Sequence, residues 1–492
     1  TYHLISGYTY LQTGDFRLGI DHPPLLRILA ALPLLWLNPS LPLEHPGWQK
    51  GNAWELGRQF FRVNRGDIHR LLFWSRLPLV LLATLLGYCL FRWAQSLYGD
   101  GGGLMAVVLY SFEPNILAHS RLVTTDFGVS AFMLLTMYTL WRYTRVPSMG
   151  RLLVAGVSFG LALASKFTAL ILTPLIPFLL FRVAWEERVE REEKAGWLAQ
   201  SWLHPFLATL GIFAIALGVL RLTYGPAPGL WLYQKGLHSI YQGHSSTYEF
   251  FLLGNYSRDG WWYYYLVAFV LKTPLPLLLL FLLSLVLLHR QKPSLDFYFL
   301  LLPILTMFIV STLDAKNMGL RRILPLYPFL FVLCSSLVQV EWKRRWVCGG
   351  IVILCAWQIF ASLQIYPHYL SYFNELTGGP ERGIFYLDDS NIDWGQDLIG
   401  LKRFVEEEGI DRLKVDYFGS ITPDVYGIPY EPVSPVDLLR PQKGVYYAIS
   451  AHILQRKDLF HLFPGNVVLR YDWLEKYTPV RKIGYSIYIY KF

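Results

Sequence analysis

Charge is scarce in this 492-residue chain. Its 44 Lys and Arg and 35 Asp and Glu make up only 16% of it, against about a quarter in ordinary soluble domains. Cysteine is scarcer still. The four present, Cys89, Cys334, Cys348 and Cys355, lie in apolar runs without zinc-ligand spacing, so neither a disulfide framework nor a structural metal is indicated. Also lacking are a phosphate-cradling glycine loop, a nucleophile motif, a haem motif, internal repeats, low-complexity tracts and a cleavable signal peptide. Soluble nucleotide-dependent enzymes and serine hydrolases lose their signatures with these. The missing inverted repeats weigh against a secondary transporter. The net charge of +9 does not point to nucleic acid, because no basic patch interleaves with aromatics in a soluble segment.

What the chain has is apolar length. Hydrophobic residues are 53% of it, with runs such as "PLPLLLLFLLSLVLLH" (274–289), and a bilayer core takes about 20 residues of helix. The pattern is that of a polytopic α-helical membrane protein. Spans are expected near 71–91, 104–118, 127–144, 151–164, 168–184, 205–222, 274–289, 297–313, 323–340 and 346–364, about ten in all. Alternate loops, among them "WRYTRVPSMGR", "FRVAWEERVEREEKAGW", "HRQKPS" and "EWKRRW", are rich in Arg and Lys and mark the cytoplasm. The same parity puts residues 1–70 outside as a first exterior loop, and 366–492 outside as a C-terminal domain, with the helix bundle at 71–365 between them. An exterior start before any span leads us to expect a first transmembrane helix ahead of Thr1. In the tail, "LIGLKRFVEEEGI" (398–410) reads as an amphipathic helix and 412–420, 444–451 and 485–492 as strands: a small α/β domain. The 31 Phe, 17 Trp and 32 Tyr suit interfacial belts and sugar-stacking surfaces.

Charges beside the outer ends of spans are costly unless paired or used. In "GIDHPPLLRILAALPLLWL" (19–37), Asp21 and His22 precede two prolines that suit a first helical turn, so Asp21 is placed at the N-terminus of a helix over 23–37. In "HSRLVTTDF" (119–127), Asp126 stands at the mouth of a span, five residues after Arg121. Each acid alone reads equally as a helix cap. Lys166, Lys272, Arg321 and Arg322 put cations at other outer ends, and several cations converging with two acids suit an anionic ligand. The stretch "DDSNIDWGQDL" (388–398) has four acids but lacks the glycine and glutamate spacing of an EF-hand.

Together, "YTYLQTGDFRLGIDHPPLLR", "AHSRLVTTD", "GWWYYYLVAFVLKTPLP", "MGLRRILPLYPFL" and "YLSYFNELTGGPERGIFYLDDSNIDWGQDL" resemble the bacterial protein-mannosyltransferase-like glycosyltransferases, over essentially the whole chain. The resemblance implies a GT-C-type bundle and a polyprenyl-phosphate sugar donor. It also implies transfer with inversion to an acceptor hydroxyl of unknown protein, lipid or glycan identity, at the outer face of the plasma membrane. It makes Asp126 the second acid of the family, Arg121 the arginine before it, and Asp21 and His22 the lining of the donor pocket. It places the main catalytic base in an acidic pair upstream of Thr1. The leaving lipid phosphate then needs only cations, for which Lys166, Arg258, Lys272, Arg321 and Arg322 are available. No cofactor is expected, though a divalent cation is compatible. A transporter or flippase for a lipid-linked or anionic substrate, or a scaffold presenting the exterior domain, remains as the competing reading. A transporter wants charges at mid-span, and a scaffold predicts no convergence of Asp126 with cations.

Overall fold

A computed structural model describes residues 1–192, 202–225, 227–242, 248–289, 294–313, 316–340, 345–456, 461–463, 467–469, 471, 474 and 476–492. Much of three basic loops, at 193–201, 290–293 and 341–344, therefore lies outside the described residues, as do 226, 243–247 and 314–315 of two loops read as exterior. In lipid a backbone has no water to bond, so apolar runs close their hydrogen bonds internally as helices. Every expected run does so. Among the described residues, five helices are long and apolar enough to cross a bilayer: Arg65–Ser111, Phe167–Glu186, Leu203–Thr223, Leu295–Thr312 and Trp346–Gln364. Two bent pairs are long and apolar enough together, Pro114–Ser120 with Thr125–Arg145 at 110° and Tyr264–Lys272 with Leu275–Leu287 at 112°, each a broken span or a re-entrant loop. The expected runs at 151–164 and 323–340 form shorter apolar helices, Met149–Ser165 and Leu326–Gln339. Runs 71–91 and 104–118 do not separate cleanly at a loop. Ile68–Ser111 runs on through a kink at Gly99, whose φ of 78° is open to glycine at little cost.

The first 70 residues differ most from expectation. A helix, Tyr2–Thr13, precedes the loop, and the helix expected over 23–37 is two short ones, Leu25–Ala31 and Leu34–Leu37. Asp21 does not cap it: Pro24 occupies the N-cap and no side chain bonds the first turn. Two prolines, Pro24 and Pro33, each start a helix and interrupt what precedes it. These helices share a core of Leu4, Ile5, Tyr8, Leu34, Leu56, Phe60 and Phe61 with Val425 of the tail.

In the tail, a mixed five-stranded sheet is built from β3 (Leu413–Asp416), β4 (Glu431–Pro432), β5 (Tyr446–Ser450), β8 (Arg481–Ile483) and β9 (Ile487–Lys491), in the order β4-β3-β5-β9-β8. β3 runs parallel to β4 and β5, whereas β9 is antiparallel to both of its neighbours. Helix Leu398–Glu407 buries Leu398, Leu401, Phe404 and Val405 against it. Two hairpins stand outside the sheet: β1 (Phe250–Leu252) with β2 (Asn255–Ser257), and β6 (His461–Phe463) with β7 (Val467–Leu469). The first is fastened to the tail by the Leu253 N–H on the Tyr386 carbonyl at 2.9 Å.

Candidate active site

Asp126 lies in the first turn of Thr125–Arg145, directly after the 110° break, and is only 1% exposed. Broken helices bring polar backbone and side chains to a lipid-facing depth only where protein encloses them. A lone carboxylate there would be prohibitive, and it is not alone. Lys166 Nζ, just past the end of Met149–Ser165, donates to its Oδ1 at 2.5 Å. Arg321 Nη1, from the turn Leu320–Ile323, donates to its Oδ2 at 3.3 Å. The expected helix cap is therefore not what holds Asp126. Both cations retain donors beyond these bonds: Lys166 has three N–H in all, and the Nη2 of Arg321 has no hydrogen-bond partner among the described residues.

Asp21 sits in a second knot. Its Oδ1 accepts from Arg27 Nη2 at 3.1 Å and from the Tyr2 hydroxyl, and its Oδ2 lies 2.9 Å from His22 Nδ1. Arg27 is wholly buried, and also donates to His3 Nδ1 at 3.1 Å, to the Tyr10 hydroxyl at 2.9 Å and to the Gly19 carbonyl. Although burial opposes it, the His22 and Arg27 contacts hold the Asp21 carboxyl well below the usual range. Burial pushes His22 down in spite of Asp21.

Glycines bring the two knots together. A Cβ at Gly7 would collide with the Arg27 carbonyl, and one at Gly128 with the methyls of Leu26. Their absence lets Leu25–Ala31 lie between Tyr2–Thr13 and the start of Thr125–Arg145. His3 feels the fields of both Asp21 and Asp126, and His22 that of Lys166. An aromatic hollow lined by Tyr10, Phe16, Ile20, Pro24, Tyr224 and Leu232 opens beside His22.

Asp21, His22, Asp126, Lys166 and Arg321 thus share one region. Arg322 adjoins it, within hydrogen-bond reach of Tyr265. Three expected members do not join. Lys272 is buried, with Nζ on the Leu370 and Asn391 carbonyls at 2.7 and 2.5 Å, because its helix ends against the tail. Arg258, exposed just past the end of the β1–β2 hairpin, pairs with Glu249 at 3.1 Å. Arg121 ends helix Pro114–Ser120, and its exposed side chain makes no hydrogen bond or ion pair among the described residues. Sequence reasoning missed Arg27, His3, Tyr2, Ser390 and Trp394. An arginine inside an apolar helix was the available signal for the first of these.

The acids of "DDSNIDWGQDL" are each held by protein donors, with His452 bonding both Asp388 and Asp393, and no group of three metal-ligating side chains occurs among the described residues. Asp388 holds His452 Nδ1 at 2.7 Å and Arg456 at 2.8 Å, and Asp389 accepts from the Tyr248 hydroxyl at 2.8 Å. Asp397 accepts from Ser486 Oγ at 2.7 Å. Asp393 takes the Gly395 N–H at 3.0 Å, and burial pushes its carboxyl up to about 7.

Residues 69–217 match the dolichyl-phosphate-mannose-protein mannosyltransferase family. Among solved structures, ArnT from Cupriavidus metallidurans in the apo state aligns with a TM-score of 0.50 at 11% identity, over 99% of this chain and 92% of that one. The same protein bound to undecaprenyl phosphate aligns with a TM-score of 0.47 at 12% identity, with the same coverage. No curated protein sequence matches significantly. Fold and apolar helices together define a multi-pass membrane protein with an ArnT-like fold. Within that class, residues 69–217 are similar to the dolichyl-phosphate-mannose-protein mannosyltransferases.

Proposed function

We propose that the protein transfers a sugar from a polyprenyl-phosphate-linked donor to an acceptor hydroxyl, with inversion, at the outer face of the plasma membrane. The observation that carries this reading is the buried Asp126 clamped between Lys166 and Arg321 beside the Asp21–Arg27 knot. In the reaction the acceptor oxygen forms a bond to the anomeric carbon and gives its proton to a carboxylate base. The bond from that carbon to the phosphate oxygen breaks, and its electron pair leaves with the phosphate. The phosphate gains charge as the bond breaks, so cations fixed in place beforehand favour the transition state over the bound donor. Lys166 and Arg321 supply that charge, while Asp126 holds the two like charges together and stops them relaxing. Their position at helix ends, rather than at mid-span, favours transfer at a membrane surface over transport through it.

The test is transfer of labelled sugar from a polyprenyl-phosphate donor by the full-length protein in nanodiscs, with the donor titrated. Arg321→Ala and Lys166→Ala should each lower kcat/KM by roughly tenfold to a hundredfold, the range for a hydrogen bond to a charged group. Unchanged transfer in both would end the reading. The outer-face placement is tested separately. A cysteine introduced in the 366–492 domain should react with an impermeant thiol reagent in intact cells, and labelling only after lysis would put the site on the wrong face.

A further inference from the structure

The segment Asp388–Asp397 of the C-terminal domain is anchored in the helix bundle. Asn391 accepts the Leu320 N–H on its Oδ1 at 3.0 Å, donates from Nδ2 to the Tyr264 hydroxyl at 3.0 Å, and takes Lys272 Nζ on its carbonyl at 2.5 Å. With Asn391 fixed, two neighbours reach Arg321. Ser390 Oγ accepts from Arg321 Nε at 3.2 Å and donates to the Met318 carbonyl at 3.0 Å. The Trp394 ring lies 4.6 Å from the guanidinium carbon, and its edge meets His119 at 6.1 Å between centroids. Close approach is built in at Gly319, whose φ is 90° and where a Cβ would collide with Ser390 Oγ. Ser390 is 3% exposed, so its hydroxyl has little freedom to turn elsewhere.

Arg321 is thus held on Nε by Ser390 and, at 3.3 Å, by the Met318 carbonyl that Ser390 Oγ also bonds, on Nη1 by Asp126 and on one face by Trp394, and its Nη2 edge has no partner among the described residues. A planar guanidinium fixed on two nitrogens and one face presents its remaining edge in a single direction. We propose that Ser390 and Trp394 are positioning residues that aim the free edge of Arg321 at the phosphate of the lipid-linked donor, which makes the C-terminal domain a working part of the transfer site. This rests on the function proposed above, in which Arg321 serves the leaving group.

The experiment compares Ser390→Ala, Trp394→Leu, the conservative Ser390→Thr and Trp394→Phe, and Arg321→Lys, alone and combined, in the full-length protein in nanodiscs. Affinity for a polyprenyl phosphate, the kcat and donor KM of sugar transfer, and thermal unfolding are measured for each. Ser390→Ala and Trp394→Leu should each weaken lipid-phosphate binding and kcat/KM by about tenfold, the factor for a lost bond to a charged group. The conservative variants should restore most of it. On the Arg321→Lys background, which lacks the fork, Ser390→Ala and Trp394→Leu should add no more than about twofold, since residues acting through one group are not additive. Losses of the same size on both backgrounds would show that the two residues act by another route and overturn the proposal. So would wild-type binding in Ser390→Ala and Trp394→Leu beside a clear loss in Arg321→Lys. If Arg321→Lys itself binds and transfers normally, the reading of Arg321 falls first. Should Trp394→Leu fail to fold, Ser390→Ala on the wild-type and Arg321→Lys backgrounds, with Ser390→Thr as its control, decides the matter.

Discussion

Replacing Asp126 with asparagine removes one charge and almost no volume. In the native site its two oxygens meet Lys166 Nζ at 2.5 Å and Arg321 Nη1 at 3.3 Å, in a residue 1% exposed. With an effective dielectric of about 20, the gross attractions are roughly 7 and 5 kcal/mol, much of it cancelled by desolvation. Removing one partner of a buried pair typically costs about 3–5 kcal/mol, because the remaining charge stays buried and unmatched. Here two cations are left facing each other, so a loss at the upper end of that range is expected, read as a lower unfolding temperature in nanodiscs. The kinetic signature is more specific. Unneutralised cations still attract an anionic donor, so donor affinity should hold or tighten. Their geometry is lost, however, and turnover should fall by at least about tenfold, within the roughly 10²–10⁴-fold range of positioned catalytic groups. A fall in kcat without a rise in KM marks an interaction that matters only in the transition state. Titrating donor against transfer rate in the wild type and Asp126→Asn measures both. Unchanged turnover would reduce the clamp to a structural ion pair, and weakened donor binding at normal kcat would refute the assignment of charge to the leaving group.

Other variants probe the surroundings. Arg27→Lys should not rescue Arg27→Ala: Arg27 uses Nε, Nη1 and Nη2 for different partners, and an ammonium cannot reach them together, so both variants should lose about 3–5 kcal/mol in unfolding measurements. Gly7→Ala should push Leu25–Ala31 off Tyr2–Thr13 at an overpacking cost of about 1–3 kcal/mol and slow transfer by displacing Asp21; normal transfer with normal stability would contradict the close packing. Lys272→Ala should loosen the tail from the bundle, seen as faster proteolysis of 366–492, because its Nζ serves the Leu370 and Asn391 carbonyls. Asp393→Asn tests burial through pH. The Asp393 carboxyl lies near 7 in the fold against an ordinary 3.8, so its contribution is full below about pH 4 and is lost as pH rises through about 7. Three units are about 4 kcal/mol at most. The asparagine variant should therefore gain stability relative to wild type at pH 8 and not at pH 4, and equal behaviour at both would exclude a buried carboxylate there.

Hydropathy alone determined the class of this protein, because a chain 53% apolar with runs of span length has no other solvent that suits it. The same local physics located the tail helix at Leu398–Glu407 and strands at Leu413–Asp416, Tyr446–Ser450 and Ile487–Lys491, since period and turn residues act within a few positions. It also marked Asp21, His22, Asp126, Lys166 and Arg321 as costly charges at span ends. Which of those charges meet was a matter for tertiary structure. Arg321 reaches Asp126 across 195 positions and Ser390 across 69, distances over which no periodicity carries information. Lys272 carries the same charge at an equally plausible span end, yet the tail covers it with two carbonyls. Arg27 stands inside an apolar helix, and only the glycine-mediated approach of three helices made it the centre of a buried knot. Local sequence sets where a charge stands along its helix; the break angles and the small residues between helices set what it faces.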